Sequence, residues 1–269
     1  MPPTHRLLKS LLALLLSIAL LPLGAHATDN NSLQLLQEPW SELLRHHVTT
    51  DGRLNYEGLQ EDEDKLLGYL QSLRKVKPDP QAWSANDTKA FWLNTYNAAA
   101  AYLIVGYYPV ASINDIRVKV MGGQKSPWEV PVVNVGGQSY SLNQIEREML
   151  RNQFHDARVH FGLMNGAASS PAVLAEAYDG QRLDQQLDAQ AKRFLNDPTF
   201  NQLTPQHVQL SGLFEAYAAE FGSESQVLEF VNRYARVPVL PTAKVEYLSF
   251  SWALNDRTGL SNSQALGRH

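Results

Sequence analysis

The stretch TKAFWLNTYNAAAAYLIVGY, residues 88–107, decides how this chain is built. It is alanine-rich and apolar on nearly every side, and a helix that is apolar all round belongs inside a protein rather than on its surface. Ser84-Ala85-Asn86-Asp87 supplies a helix start before it, and Pro109 a stop after it. At about eight residues, its richest apolar run (98–105) is too short to cross a bilayer. The segment therefore reads as the central helix of a folded domain.

Working outward, residues 130–135 and 138–141 flank Gly136-Gly137, the pattern of a β-hairpin with a glycine turn. Residues 142–151 read as a helix capped by Ser141 or Asn143, with Glu146 in its early turns. Residues 158–163 alternate like a half-buried strand, and 171–177 read as a short helix. An amphipathic helix spans 183–195. Beyond it come a strand at 207–210, a helix capped by Ser211 that reaches Phe221, a helix at 224–234 and a strand at 245–250. On the N-terminal side, 28–36 read as a loose polar lead-in and 40–47 as a short helix after Pro39. Residues 54–56 read as a short strand and 61–72 as a helix. Helices and strands mix without a regular βαβ alternation. The expected class is α+β, a single domain with helices around a small, mostly antiparallel sheet.

Arg6 and Lys9, the broken apolar run 11–21, and Ala25-His26-Ala27 follow the order of a cleavable export signal. Cleavage after Ala27 would leave a chain starting at Thr28 and change the formal charge from −4 to −6, since residues 1–27 hold two cations and no acidic group. The expected organisation is a signal peptide over 1–27, one domain over 28–256 and a flexible tail over 257–269. The expected location is the periplasm or the medium. The chain has no cysteine. That removes disulfides, thiol nucleophiles, cysteine-ligated metal and lipid attachment through cysteine. No basic cluster suggests nucleic acid and no glycine loop suggests a nucleotide. The histidines form no ligand spacing, so neither metal nor cofactor is expected.

Two polar clusters stand out. Asn94 and Asn97 lie three apart on the buried helix, where each amide must be hydrogen-bonded. They either tie loops to the helix or orient a ligand. The second cluster is RVHFGLMNGAASSP, residues 158–171. Ser170 before Pro171 has the position of an N-cap, and a helix N-terminus can also activate a nucleophile. His160 is a candidate base. There is no Gly-x-Ser-x-Gly elbow.

The segments FWLNTYNA (91–98), SLNQIE (141–146), VHF (159–161) with its loop to Ser170-Pro171, and SWALN (251–255) together resemble the domain of unknown function 547 family, in order and spacing across roughly 85–255. The resemblance implies an α+β domain found in exported bacterial proteins, with no assigned activity. Members usually carry cysteine where Gly166 and Ser170 stand, and histidine where Arg147 stands; His160 and Glu146 are kept. A cysteine at a helix N-terminus near histidine is similar to papain-like and transglutaminase-like sites, so the fold is expected to be distantly cysteine-hydrolase-like, with serine in the nucleophile's place. The implied catalytic set is Ser170, His160 and Glu146. Asn94, Tyr96, Asn97, Asn165 and Trp252 are the implied substrate-binding set. The expected function is a binding or interaction protein using the cleft around Ser170 and His160. The alternative is a hydrolase or acyl-transfer enzyme on a peptide or cell-envelope substrate.

Overall fold

The computed structural model describes residues 25–257. Nearly all of the expected signal peptide and tail lies outside those residues. Helix α1 (Ala25–His47) passes through Pro39, so the lead-in expected to be loose is helical and the proline starts nothing. Leu36, Trp40, Leu43 and Leu44 point one face of α1 into the core, and that burial outweighs the polar composition around them. Leu54 makes isolated bridges to Val48 and Asp256 rather than a strand. Tyr56 already opens α2 (Tyr56–Glu61), which α3 (Glu63–Ser72) follows.

Helix α4 (Ala85–Val105) is the expected central helix. Ser84 and Asp87 form a reciprocal capping box at its start, which satisfies two of the backbone donors a helix leaves open there. From Thr88 to Val105 every residue but Tyr102 is buried. Helices α1 to α3 pack around it, and Trp92 meets Tyr140 edge-on at 5.0 Å from the hairpin side.

Strands β1 (Val118–Val120) and β2 (Gly123–Lys125) form a small hairpin that periodicity does not reveal. The expected hairpin is β3 (Val133–Val135) with β4 (Gln138–Tyr140). Gly136 and Gly137 have φ of +60° and +91°, the left-handed pair that a two-residue turn of this hand requires. The helical stretch after it opens with α5 (Leu142–Gln144), widens into a π-helix (Ile145–Arg151) and closes with α6 (Asn152–Phe154).

Residues 158–163 are not a strand. Ala157–Phe161 forms a 3-10 helix because the Asp156 carboxylate accepts from the Arg158 amide at 3.1 Å and holds the Arg158 guanidinium and the Lys89 ammonium, which winds the chain at its start. Residues 171–177 form no helix either. Their backbone bonds leave the segment: the Val173 amide donates to Gly52, the Ala177 amide to Ser41 Oγ, and the Ala172 carbonyl accepts from Gln190. With those groups engaged elsewhere, no i to i−4 ladder can close.

Helix α7 (Leu183–Leu195) matches its sequence pattern and contributes to two hydrophobic clusters. Leu183 and Leu187 join the core around α4; Ala191, Phe194 and Leu195 join a second one. That second core is built by β5 (Gln202–Leu203), β6 (His207–Ser211), α8 (Gly212–Ala216), α9 (Ala218–Phe221), α10 (Glu224–Tyr234) and β7 (Lys244–Leu248). The helix expected to run from Ser211 to Phe221 is broken at Tyr217. The class is α+β. Its strands form three small sheets, antiparallel except where β6 pairs with β7 in parallel.

Candidate functional site

Asn94 and Asn97 act as two clamps on α4. The Asn94 amide donates to the Tyr178 carbonyl and accepts from the Tyr178 amide, both at 2.8 Å. The Asn97 amide donates to the Gly162 carbonyl at 2.9 Å and accepts from the Met164 amide at 2.8 Å. Each side chain replaces a missing backbone partner for a loop that crosses the helix. These bonds tie two loops to the helix.

Between the clamped loops, Ser170 is buried and its hydroxyl donates to Asn165 Oδ1, which also accepts from the Ala167 amide at 3.2 Å. No helix starts at Pro171, so the serine neither caps a helix nor sits in a helix dipole. A strip from the C-terminal end lies along this loop. The Ala168 amide donates to the Ala253 carbonyl, the Ser251 amide to Ser169 Oγ, and the Asn255 amide to the Gly166 carbonyl. Trp252 in that strip faces outward, edge-on to Trp128 at 5.9 Å and against Phe250.

His160 and Glu146 belong to a different cluster. The His160 ring is buried, stacks on Tyr217 with centroids 3.6 Å apart, and has no hydrogen-bond partner at either nitrogen. Burial, reinforced by the nearby Arg151 charge, pushes its pKa down to about 3. Glu146 comes from the π-helix, bonds the Tyr217 hydroxyl and lies 3.6 Å from Arg151. Its carboxyl is raised above the ordinary range by burial, which the neighbouring arginine only partly offsets. Arg151 also pairs with Glu220 and lies over the Tyr217 ring. Tyr96 is buried and belongs with this group; burial and then the Glu146 charge raise its hydroxyl pKa.

The eight residues singled out from the sequence thus separate. Ser170 and Asn165 meet directly. Glu146, His160 and Tyr96 gather around Tyr217. Asn94 and Asn97 hold loops, and Trp252 stands apart. Ser170 and His160 share no hydrogen bond. Sequence reasoning missed Arg151, Tyr217 and Glu220. The Glu146-to-Arg151 spacing of five carries meaning only in a π-helix, which a 3.6-residue period does not anticipate.

The small depression beside Asn97, Gly162 and Pro171 holds only about 10 Å³. An open cleft of about 320 Å³ lies elsewhere, between α1, the first turns of α4 and residues 177–182. Gln34, Gln37, Phe91, Asp179 and Arg182 are among its lining residues. Gly180 lets that loop lie against α4, since a Cβ there would come within 2.0 Å of Asp87 Oδ1. Among the described residues no group of three or more His, Asp or Glu side chains could hold a metal ion, and no helix is long and apolar enough to cross a membrane.

Fold and site together define an α+β domain in which a central buried helix anchors two loops through asparagine clamps. Residues 80–195 match the family described as protein of unknown function, DUF547. Tyr217, Glu220 and Trp252 lie beyond the matched segment. No curated protein and no solved structure matches the chain.

Proposed function

We propose that this chain is an exported, non-catalytic binding domain, and that the polar residues near Ser170 shape its loops rather than react. One observation carries the reading. The Ser170 hydroxyl donates to Asn165, while both nitrogens of His160 have no hydrogen bond, so no base takes the serine proton. A nucleophilic serine needs its base within hydrogen-bond reach. A histidine with a pKa near 3 is also a weak base at neutral pH. The missing thiols point the same way.

The test is covalent labelling of the folded chain with a fluorophosphonate probe at neutral pH, read by peptide mass spectrometry. No adduct on Ser170 is expected. An adduct there overturns the reading in favour of an acyl-transfer or hydrolytic role. Export to the periplasm or the medium rests on the order of charge, apolar run and small residues in 1–27. N-terminal sequencing of the exported chain should begin near Thr28, and a start at Met1 would overturn cleavage.

A further inference from the structure

The β1–β2 hairpin ends in an uncovered tip. Its register pairs Val118 with Lys125 and Val120 with Gly123, so Met121 and Gly122 make the turn. Gly122 and Gly123 have φ of +95° and +145°, and a Cβ on either would meet nothing within 4 Å. Glycine serves conformation here rather than space, since the second central residue of such a turn needs a positive φ. The tip therefore projects from the body of the domain. Met121 at its corner is 104% exposed, as open as in an unfolded chain.

One exposed apolar side chain is ordinary by itself. Its charged surroundings are the second observation. Residues 116–128 hold Arg117, Lys119 and Lys125 and no acidic group, in a chain of net charge −4. Among the described residues, neither lysine ammonium has an ion pair or a hydrogen bond. Arg117 gives its guanidinium to the Asn114 and Ile116 carbonyls at 2.6 and 2.8 Å, neutral partners that leave its charge uncompensated. Lys125 lies opposite Val118 and Lys119 opposite Gln124, which puts the two lysines on opposite faces of the ribbon. Asp115 and Glu129 lie beyond the paired residues, at the end away from Met121. The base is held in place: Val118 and Val120 pack on the core around α4, and the Trp128 indole donates to Asn114 Oδ1 at 2.9 Å. The hairpin is a fixed prong with cations on both faces and methionine at its point.

We propose that this prong docks the protein, tip first, on a bilayer of anionic phospholipid. Met121 enters the boundary between headgroups and acyl chains, and the cations on both faces meet the phosphates around it. Apolar burial and attraction to anionic lipid add at such a surface. Two features favour a bilayer over a protein partner. Lysines on opposite faces reach one partner together only if it surrounds the tip. A single protruding side chain also falls far short of the roughly 800 Å² that each side of a stable protein interface buries, whereas fluid lipid needs no matching pocket. The proposal goes beyond the reading of the Ser170 loop and does not rest on it.

The test is cosedimentation of the exported chain with vesicles of phosphatidylglycerol and phosphatidylcholine in equal parts, against phosphatidylcholine alone. Three cations near an anionic surface should favour the mixed vesicles about a hundredfold. Lys119→Glu should weaken that binding about thirtyfold, whereas Lys192→Glu, the same charge change on α7, should leave it within about twofold. Met121→Ser should weaken it about tenfold and Met121→Leu should keep it. No side chain covers Met121, so neither variant disturbs the fold. Because the chain has no cysteine, Met121→Cys can carry a single environment-sensitive fluorophore. Its emission should move to the blue on mixed vesicles, and the same label at Gln181→Cys should not respond. Equal binding to both vesicles, no binding up to about 10 mM lipid, undiminished binding of Met121→Ser, an equal loss in Lys192→Glu or an unshifted label at 121 would overturn the proposal. So would a dimer that Met121→Ser dissolves, which would give the tip to a second copy of the chain. Probe labelling of Ser170 with intact vesicle binding would remove the non-catalytic reading alone; absent vesicle binding with unlabelled Ser170 would remove the docking prong alone.

Discussion

The asparagine clamps and the His160 cluster lie at similar depth and are built on opposite terms. Asn94 and Asn97 are 0% and 5% exposed, and each uses both ends of its amide on loop backbone. His160 is 2% exposed and uses neither ring nitrogen. A buried polar group that is paired fixes one arrangement of the chain. One that is unpaired stores a cost that depends on its charge state. The clamps should therefore behave as pH-independent structure and the cluster as the pH-sensitive part of the fold.

The largest expected effect tests the clamps. Asn97→Ala would strand the Gly162 carbonyl and the Met164 amide in the core, at a cost of about 3 kcal/mol in urea denaturation. The loss should be the same at pH 5 and pH 7. A loss under about 1 kcal/mol would mean that water replaces the amide and that the clamp is not structural.

The next effect comes from His160. Its pKa is about 3 in the fold against 6.5 for a free histidine side chain, so the unfolded chain takes the proton first as the pH falls. The neutral ring's contribution is complete above pH 6.5 and declines below it, until the folded-state pKa is reached. Between pH 7 and pH 5 the loss should be about 2 kcal/mol. Glu146, with its raised pKa, acts in the opposite direction, favouring the fold as pH falls. The comparison is therefore the difference between the native chain and His160→Phe. That variant keeps the stack on Tyr217 and should lose this part of the pH dependence while matching or exceeding native stability at pH 7. An unchanged pH slope would show that the ring is hydrogen-bonded after all.

The smallest effect is Ser170→Ala, about 1 kcal/mol for one hydrogen bond to Asn165. A loss as large as that of Asn97→Ala would place the serine among the clamps.

The elements legible in the sequence are those whose stability is local. Helix α4 has its capping box and apolar run, the β3–β4 hairpin its Gly-Gly turn, and α7 and α10 their amphipathic period, so all four emerge near their expected bounds. The misread segments are those whose hydrogen bonds go to distant partners. Residues 158–163 alternate like a strand, yet Asp156, Lys89 and Arg158 wind them into a 3-10 turn. Residues 171–177 start like a helix, yet Gly52, Ser41 and Gln190 take their backbone groups. For the site, the sequence marked the polar residues without their partners. Ser170 and His160 are ten residues apart in one motif and make no hydrogen bond to each other, because the 3-10 turn carries His160 to Tyr217 while the Asn165 turn holds Ser170 back.

By itself, then, the sequence determined the α+β class, the central buried helix, the absence of thiol chemistry and the need for hydrogen-bonded asparagines. Periodicity, capping and composition act within a few residues of chain. Tertiary structure alone decided which loops the asparagines hold, which groups face His160, that helix 142–154 widens into a π-turn, and where the open cleft lies. The clamped loops and the cleft depend on contacts between residues tens to more than a hundred positions apart, and no local pattern records them.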